Sequence, residues 1–273
     1  MQSLDEFIDK IRSLGVQGAK EIAIESLKFL RSYAKENGFN SKFGYASKKI
    51  ENVRTTAVIL HNCLEIVKRE KSIESINRLL RKMSQMDNEI AKRGGPLIKD
   101  GYSIMTHCHS SEVCAVIKNA WKTSKKITVY VTETRPRNQG IITAQELSKE
   151  GINVVLITDS AIGYFIKDVD IVIVGCDAFR KEGVVNKIGT YSMAIVAREH
   201  KKPFYVVGNT LKIDKRKNLI IEERSPNEIY HEHMKTLKIR NPAFDITPLK
   251  YVKRIICEKG IMTPGEFLKL HVY

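Results

Sequence analysis

A chain of 273 residues with a formal net charge of +15, from 46 Lys and Arg against 31 Asp and Glu, is long enough for one large domain or two modest ones. Its 42% of hydrophobic residues can build a sizeable core and exclude wholesale disorder, while apolar runs such as Ile171–Val174 are far too short to cross a bilayer. The charge suits either affinity for phosphates or a Lys-rich solvated surface, and the scattered pairs Lys48-Lys49, Lys125-Lys126 and Lys201-Lys202 leave both open.

The first residues are acidic and lack an apolar signal-peptide core, so a cytoplasmic location is expected. The five cysteines, Cys63, Cys108, Cys114, Cys176 and Cys257, form no Cys-x-x-Cys pair and read as free thiols.

Residues 3–93 carry helical periods. Ser3 with Glu6 forms a capping-box pattern, and Leu4, Phe7, Ile8 and Ile11 follow at helical spacing. A second helix is expected from about Ala19 to Glu36, ended by Asn37-Gly38. Further helices are expected over 57–69 and 73–92. Gly94-Gly95-Pro96 then breaks the chain and marks a boundary between a helical domain, residues 1–95, and an α/β domain, residues 96–273.

After this boundary short apolar runs alternate with amphipathic stretches. Strands are expected at 103–106, 127–131, 154–157, 171–174 and 204–207, and helices at 110–122, 143–150, 161–166 and 190–200. Strands apolar on both faces suit a mostly parallel sheet covered on both sides, a Rossmann-like arrangement. Ligands in such sheets bind at the carboxyl ends of the strands, so chemistry is sought in the loops that follow them.

Those loops hold a converging polar set. Cys108 follows a strand and precedes a helix. It is either a thiol made acidic by the helix dipole or a small buried hydrophobe. His107 and His109 flank it but point to opposite faces, and no metal-ligand set is expected. Asp177 follows the apolar strand 171–174, where burial can raise its pKa for acid–base work; its bland role is a turn cap. Arg135 can clamp a phosphate or make a surface salt bridge. The stretch from Gly183 to Thr190 reads as a loop into a helix, with Lys187 near a helix N-terminus that suits an anion and Thr190 as N-cap. It is not a Walker A loop, and no strand is followed by a dinucleotide fingerprint, so no dinucleotide is expected.

Taken in order, Thr106-His107-Cys108-His109-Ser110, Thr132-Glu133-Thr134-Arg135-Pro136, Thr143-Ala144-x-Glu146-Leu147, Val174-Gly175-Cys176-Asp177, Asn186-Lys187-Ile188-Gly189-Thr190 and Asn241-Pro242-Ala243-Phe244-Asp245-Ile246-Thr247-Pro248 form a specific set. The chain resembles the superfamily of archaeal ribose-1,5-bisphosphate isomerase, methylthioribose-1-phosphate isomerase and the alpha, beta and delta subunits of eukaryotic initiation factor 2B. The resemblance implies a cofactor-free aldose–ketose isomerase of a phosphorylated pentose, ribose 1,5-bisphosphate above all. It implies Cys108 and Asp177 as catalytic residues, and Gln17, Gly18, Arg54, Arg135, Asn186, Lys187 and Lys212 as substrate-binding residues. It also implies a homo-oligomer, a dimer or a trimer of dimers. Two positions depart from the isomerase pattern. Gln17-Gly18-Ala19 stands where Arg-Gly-Ala is usual, and Arg54-Thr55-Thr56 where Arg-Pro-Thr is usual. Gln17 lacks a permanent charge, so the alternative is a non-catalytic regulatory protein that binds a translation initiation factor or a nucleotide.

Overall fold

The computed structural model describes residues 2–13, 18–53, 57–123, 125–218, 221–232 and 234–270. The helical part begins as its sequence requires. Ser3 and Glu6 close a capping box on α1 (Leu4–Arg12), and Phe7, Ile8 and Ile11 are buried. α2 (Ala19–Asn37) ends at Gly38, whose φ of 71° is costly for other residues. α3 (Ser41–Val53) was not expected, although Phe43, Ala46 and Ile50 bury one face at helical spacing. α4 (Val58–Glu70) and α5 (Ile73–Gly94) complete a core around Leu27, Leu30, Ile59, Leu64 and Ile76. The end of α5 leaves that core and packs on the α/β part. There Ile90 lies among the sheet residues, and Gly94 sits so close to Val116 that a Cβ would come within 2.7 Å of its methyl group.

The α/β part runs β1 (Ser103–Thr106), α6 (Ser111–Lys122), β2 (Thr128–Thr132), α7 (Gln139–Lys149), β3 (Asn153–Ile157), α8 (Ile162–Phe165), β4 (Ile171–Val174), β5 (Ala178–Arg180), β6 (Gly183–Lys187), α9 (Thr190–Glu199), β7 (Phe204–Val207), β8 (Phe244–Thr247), β9 (Arg254–Cys257), β10 (Gly260–Met262) and α10 (Pro264–Leu268). One sheet has the order β10-β9-β7-β4-β1-β2-β3 and is parallel except where β10 folds back on β9. Its strands are apolar on both faces because both are covered. Ile171 and Ile173 point into a core shared with α5 and α6, while Val172 and Val174 point into a core shared with α9. β9, which carries Ile255 and Ile256, lies inside this sheet with both side chains fully buried.

A second, antiparallel sheet, β5-β6-β8, corrects the loop expected over 183–190. Residues 183–187 are a buried strand, and α9 starts with Gly189 as N-cap, leaving Thr190 in the first turn. This small sheet is fastened by a buried ion pair. Arg180 Nη1 donates to Asp214 Oδ2 at 2.6 Å, and its Nη2 donates to the carbonyl of Arg216 at 2.9 Å.

Breaking one member of such a pair leaves a buried charge poorly compensated; without Asp214, Arg180 keeps Glu182, an exposed carboxylate 3.2 Å away, and backbone carbonyls. Asp214→Ala is expected to lower the unfolding free energy by about 3–5 kcal/mol in urea titrations. A loss of about 1 kcal/mol or less would show that the pair behaves like a surface bridge.

Candidate active site

The carboxyl ends of the parallel strands meet the helical part at a cleft of about 500 Å³. Its floor holds Cys108 after β1, Asp177 after β4 and Lys212 after β7, with Asn186 and Lys187 contributed by β6. Gly18, Ala19 and Lys20 at the start of α2 close the opposite side. Gly18 has a φ of 89°, a conformation that turns the chain into α2 and favours glycine. The cleft is therefore faced by the N-termini of two helices, α2 and α6, whose first backbone N–H groups suit anions.

Cys108 occupies left-handed backbone, φ 68°, two residues before the Ser110 cap of α6. The sequence left open a thiol made acidic by that helix and a small buried hydrophobe. Burial overrides the dipole and pushes the Cys108 thiol up to about 11, although the Lys187 ammonium pulls the other way. The resting group is a neutral thiol. Burial likewise lifts the Asp177 carboxyl above its usual range, opposed by Lys212 and Lys187.

Lys212 and Glu112 form a buried ion pair, 6% and 2% exposed, with Nζ 2.5 Å from Oε2. Asn209 donates to the other Glu112 oxygen at 2.7 Å. Glu112 stands in the first turn of α6, where an acidic residue reads as an ordinary dipole partner; its sequence gives no sign of the lysine a hundred residues on. Lys187 differs. It pairs with no carboxylate among the described residues, and its ammonium lies 5.2 Å from the centre of the Phe244 ring. Asn186 donates to Thr190 Oγ1, which donates to the carbonyl of Lys187, so the two binding candidates are held as a unit. The N-terminus of α9, expected to suit an anion, is already filled. Asp245 accepts from the N–H groups of Gly189 and Tyr191 at 2.8 and 3.1 Å, and burial lifts its carboxyl to about 6.

Arg135 lies away from the cleft. Its side chain is exposed and returns to the carbonyl of Pro136, while its backbone N–H joins that of Thr134 on the carboxylate of Asp159. Arg137 and Arg224 line the cleft instead. Arg224 is held by Glu222 and Glu228. Gln17 and Arg54 fall outside the described residues. His109, Cys114 and Glu146 bring possible ligand atoms within 4.8 Å of one another, but Lys118 already places an ammonium 3.0 Å from Glu146, so this group has a resident cation.

Residues 15–264 match the model of the initiation factor 2 subunit family. The chain belongs to this family. It is 40% identical to the ribose 1,5-bisphosphate isomerase of Methanocaldococcus jannaschii, over 97% of this chain and 92% of that protein. It is 38% identical to the methylthioribose-1-phosphate isomerase of Acetivibrio thermocellus, over 92% of this chain and 83% of that protein. Among solved structures, the translation initiation factor eIF-2B of Pyrococcus horikoshii superposes with a TM-score of 0.87 at 31% identity, covering 97% of this chain and 98% of that one. The mixed α/β fold with a helical N-terminal part and a mostly parallel sheet is the fold of this family.

Cys108 is half-buried on the cleft wall, whereas the other four cysteines are buried. Timed alkylation with iodoacetamide is expected to label Cys108 first, at a rate that climbs with pH towards about 11. Cys63, which burial pushes up to about 12, is expected to stay unlabelled until the protein unfolds. Equal labelling of both in the native protein would contradict the cleft geometry.

Proposed function

We propose that the protein is an aldose–ketose isomerase that converts ribose 1,5-bisphosphate to ribulose 1,5-bisphosphate. The observation that carries this reading is the thiol of Cys108 and the carboxyl of Asp177 on one cleft whose rim is built for anions. Full-length relatives named ribose 1,5-bisphosphate isomerase, at 34–40% identity, support it.

Asp177, lifted by burial, is the acid that gives a proton to the ring oxygen as the bond from that oxygen to C1 breaks. Cys108 takes the proton from C2, which forms the C1–C2 enol, and returns a proton to C1. The Asp177 carboxylate receives the hydroxyl proton of O2 as the ketone forms, which restores its starting state. The net change is one hydrogen moved from C2 to C1 and one from O2 to the ring oxygen. The thiol must first give its proton to solvent before it can act as a base, and Lys187 is the cation that favours this until a phosphate meets it. Gly18 and the backbone of α2, the first turn of α6, and Lys187 with Asn186 hold the two phosphates; Lys212 sets the charge beneath them. The family resemblance adds Gln17 and Arg54 to the phosphate-binding residues.

We take residues 1–95 as the helical unit and 96–273 as the catalytic unit. We also take the protein to be a homo-oligomer. Leu156, Tyr164 and Ile195, on β3, α8 and α9, are 47%, 68% and 43% exposed, and a second copy covering them removes apolar surface from water. Light scattering is expected to return a multiple of 31.1 kDa; a monomer at all concentrations overturns this part.

The main test follows ribulose 1,5-bisphosphate by chromatography. Cys108→Ser and Asp177→Asn are each expected to lower turnover by at least about 10²-fold, the usual worth of an acid–base group. Methylthioribose 1-phosphate, which leaves one phosphate seat empty, is expected to react with a lower kcat/KM. A wild-type protein inert towards both sugars would instead favour a regulatory role in translation initiation, for which the thiol and carboxyl have no evident use.

A further inference from the structure

We infer that Thr143 is a positioning residue for the isomerisation, holding the Cys108 thiol in a backbone conformation it would not otherwise keep. The inference rests on the reading of Cys108 as a catalytic residue.

Cys108 and Thr134 both have left-handed backbone, φ 68° and 63°, which side chains other than glycine rarely adopt. Such conformations persist only where the surroundings over-determine them. Two threonine hydroxyls do so here, one at each end of Cys108. The Cys108 N–H donates to Thr134 Oγ1 at 2.9 Å, and the Cys108 carbonyl accepts from Thr143 Oγ1 at 3.0 Å. Both threonines are buried, 0% and 1% exposed, so water cannot replace them.

The donor count fixes the direction of the network. Thr143 has one hydroxyl proton, and the Cys108 carbonyl, 3.0 Å away and able only to accept, is a stronger acceptor for it than the Cys114 sulfur that also lies beside it. Thr143 Oγ1 must then accept from Nδ1 of His109, 3.0 Å away. One hydroxyl thus ties the residue carrying the thiol to the next residue along the cleft wall. Thr134 is used in the same manner: it accepts from Cys108 and donates to the carbonyl of Thr132 at 3.2 Å. The helix bearing Thr143 can reach this position because residue 140 is glycine. A Cβ there would lie 1.7 Å from the Thr132 carbonyl oxygen.

The two bonds fix the peptide planes on either side of Cys108, so loosening its carbonyl lets the backbone turn and shifts Cβ and Sγ relative to a substrate bound by other groups. A displacement of about 1 Å in a reacting atom can cost about 10²-fold in rate. Thr143 itself touches no part of the cleft, so its loss is expected to fall on kcat and spare KM.

The experiment compares Thr143→Val, which keeps the shape and removes the hydroxyl, with Thr143→Ser, which keeps the hydroxyl. Cys108→Ala is measured in the same assay with ribose 1,5-bisphosphate. Thr143→Val is expected to lower kcat by about 10–100-fold with KM within about twofold, and Thr143→Ser to restore most of it. A Thr143→Val kcat within about twofold of wild type, with Cys108→Ala inactive, overturns the positioning role and leaves the catalytic reading standing. Equal losses in the Val and Ser variants likewise overturn it, since the methyl packing and not the hydroxyl would then matter. An active Cys108→Ala overturns the catalytic reading on which the inference rests.

Discussion

The buried ion pair between Lys212 and Glu112 sets the electrostatics on which the cleft depends. Two charges withdrawn from water cost several kcal/mol each, and attraction alone rarely offsets this without good geometry and further hydrogen bonds. Both conditions hold, because the pair is short and Asn209 satisfies the second carboxylate oxygen. The pair also joins the end of β7, the strand beside β4, to the first turn of α6, the helix that follows β1. Asp177 at the end of β4 feels both partners in opposite senses, Lys212 lowering its pKa and Glu112 raising it. Burial is then left as the dominant influence, and the carboxyl rises towards a range useful for proton transfer.

The large sheet was legible because its strands obey a simple rule. A segment such as Ile171–Val174 that is apolar at every position has two buried faces, and two buried faces in an alternating α/β chain mean a covered parallel sheet. Once the sheet was placed, its carboxyl ends pointed to Cys108, Asp177 and Lys212. The small sheet was hidden for the opposite reason. β5 has three residues, and β6 mixes Val184 and Val185 with Asn186 and Lys187, so neither shows a clean period. Even so, all of β6 is buried, because polar side chains in a cleft find partners that sequence spacing does not reveal.

Side-chain direction and protonation were the least legible. Arg135 and Arg137 stand two residues apart in one turn, and tertiary contacts that the sequence does not show, Asp159 on two backbone N–H groups and Glu228 near the Arg137 guanidinium, accompany the placing of Arg137 on the cleft. The thiol of Cys108 shows the competition of two real effects. Nearness to a helix N-terminus favours thiolate, but the charge effect of a helix end falls off within about one turn, whereas burial acts on the whole group.

The cations around the cleft explain where a doubly phosphorylated sugar can be held. Several are committed within the protein: Lys20 to Asp87 at 2.7 Å, Lys212 to Glu112, and Arg224 to Glu222 and Glu228. A substrate that recruited Lys212 would strand the buried Glu112 carboxylate, which costs more than a surface exchange of partners, whereas Asp87, Glu222 and Glu228 are only half-buried and would lose less. Backbone N–H groups in the first turns of α2 and α6 carry no such penalty where no side chain caps them, as Ser110 caps that of Val113. Lys187, with an aromatic ring on one side and no carboxylate partner among the described residues, is the side-chain cation ready to meet an incoming charge. It also lowers the pKa of both Cys108 and Asp177, so a phosphate that draws off its charge releases both groups towards their protonated forms. In the isomerisation proposed above, that release favours Asp177 as the acid that opens the ring and opposes Cys108 as the base at C2, so the direction in which its strained backbone aims the thiol bears the greater weight there.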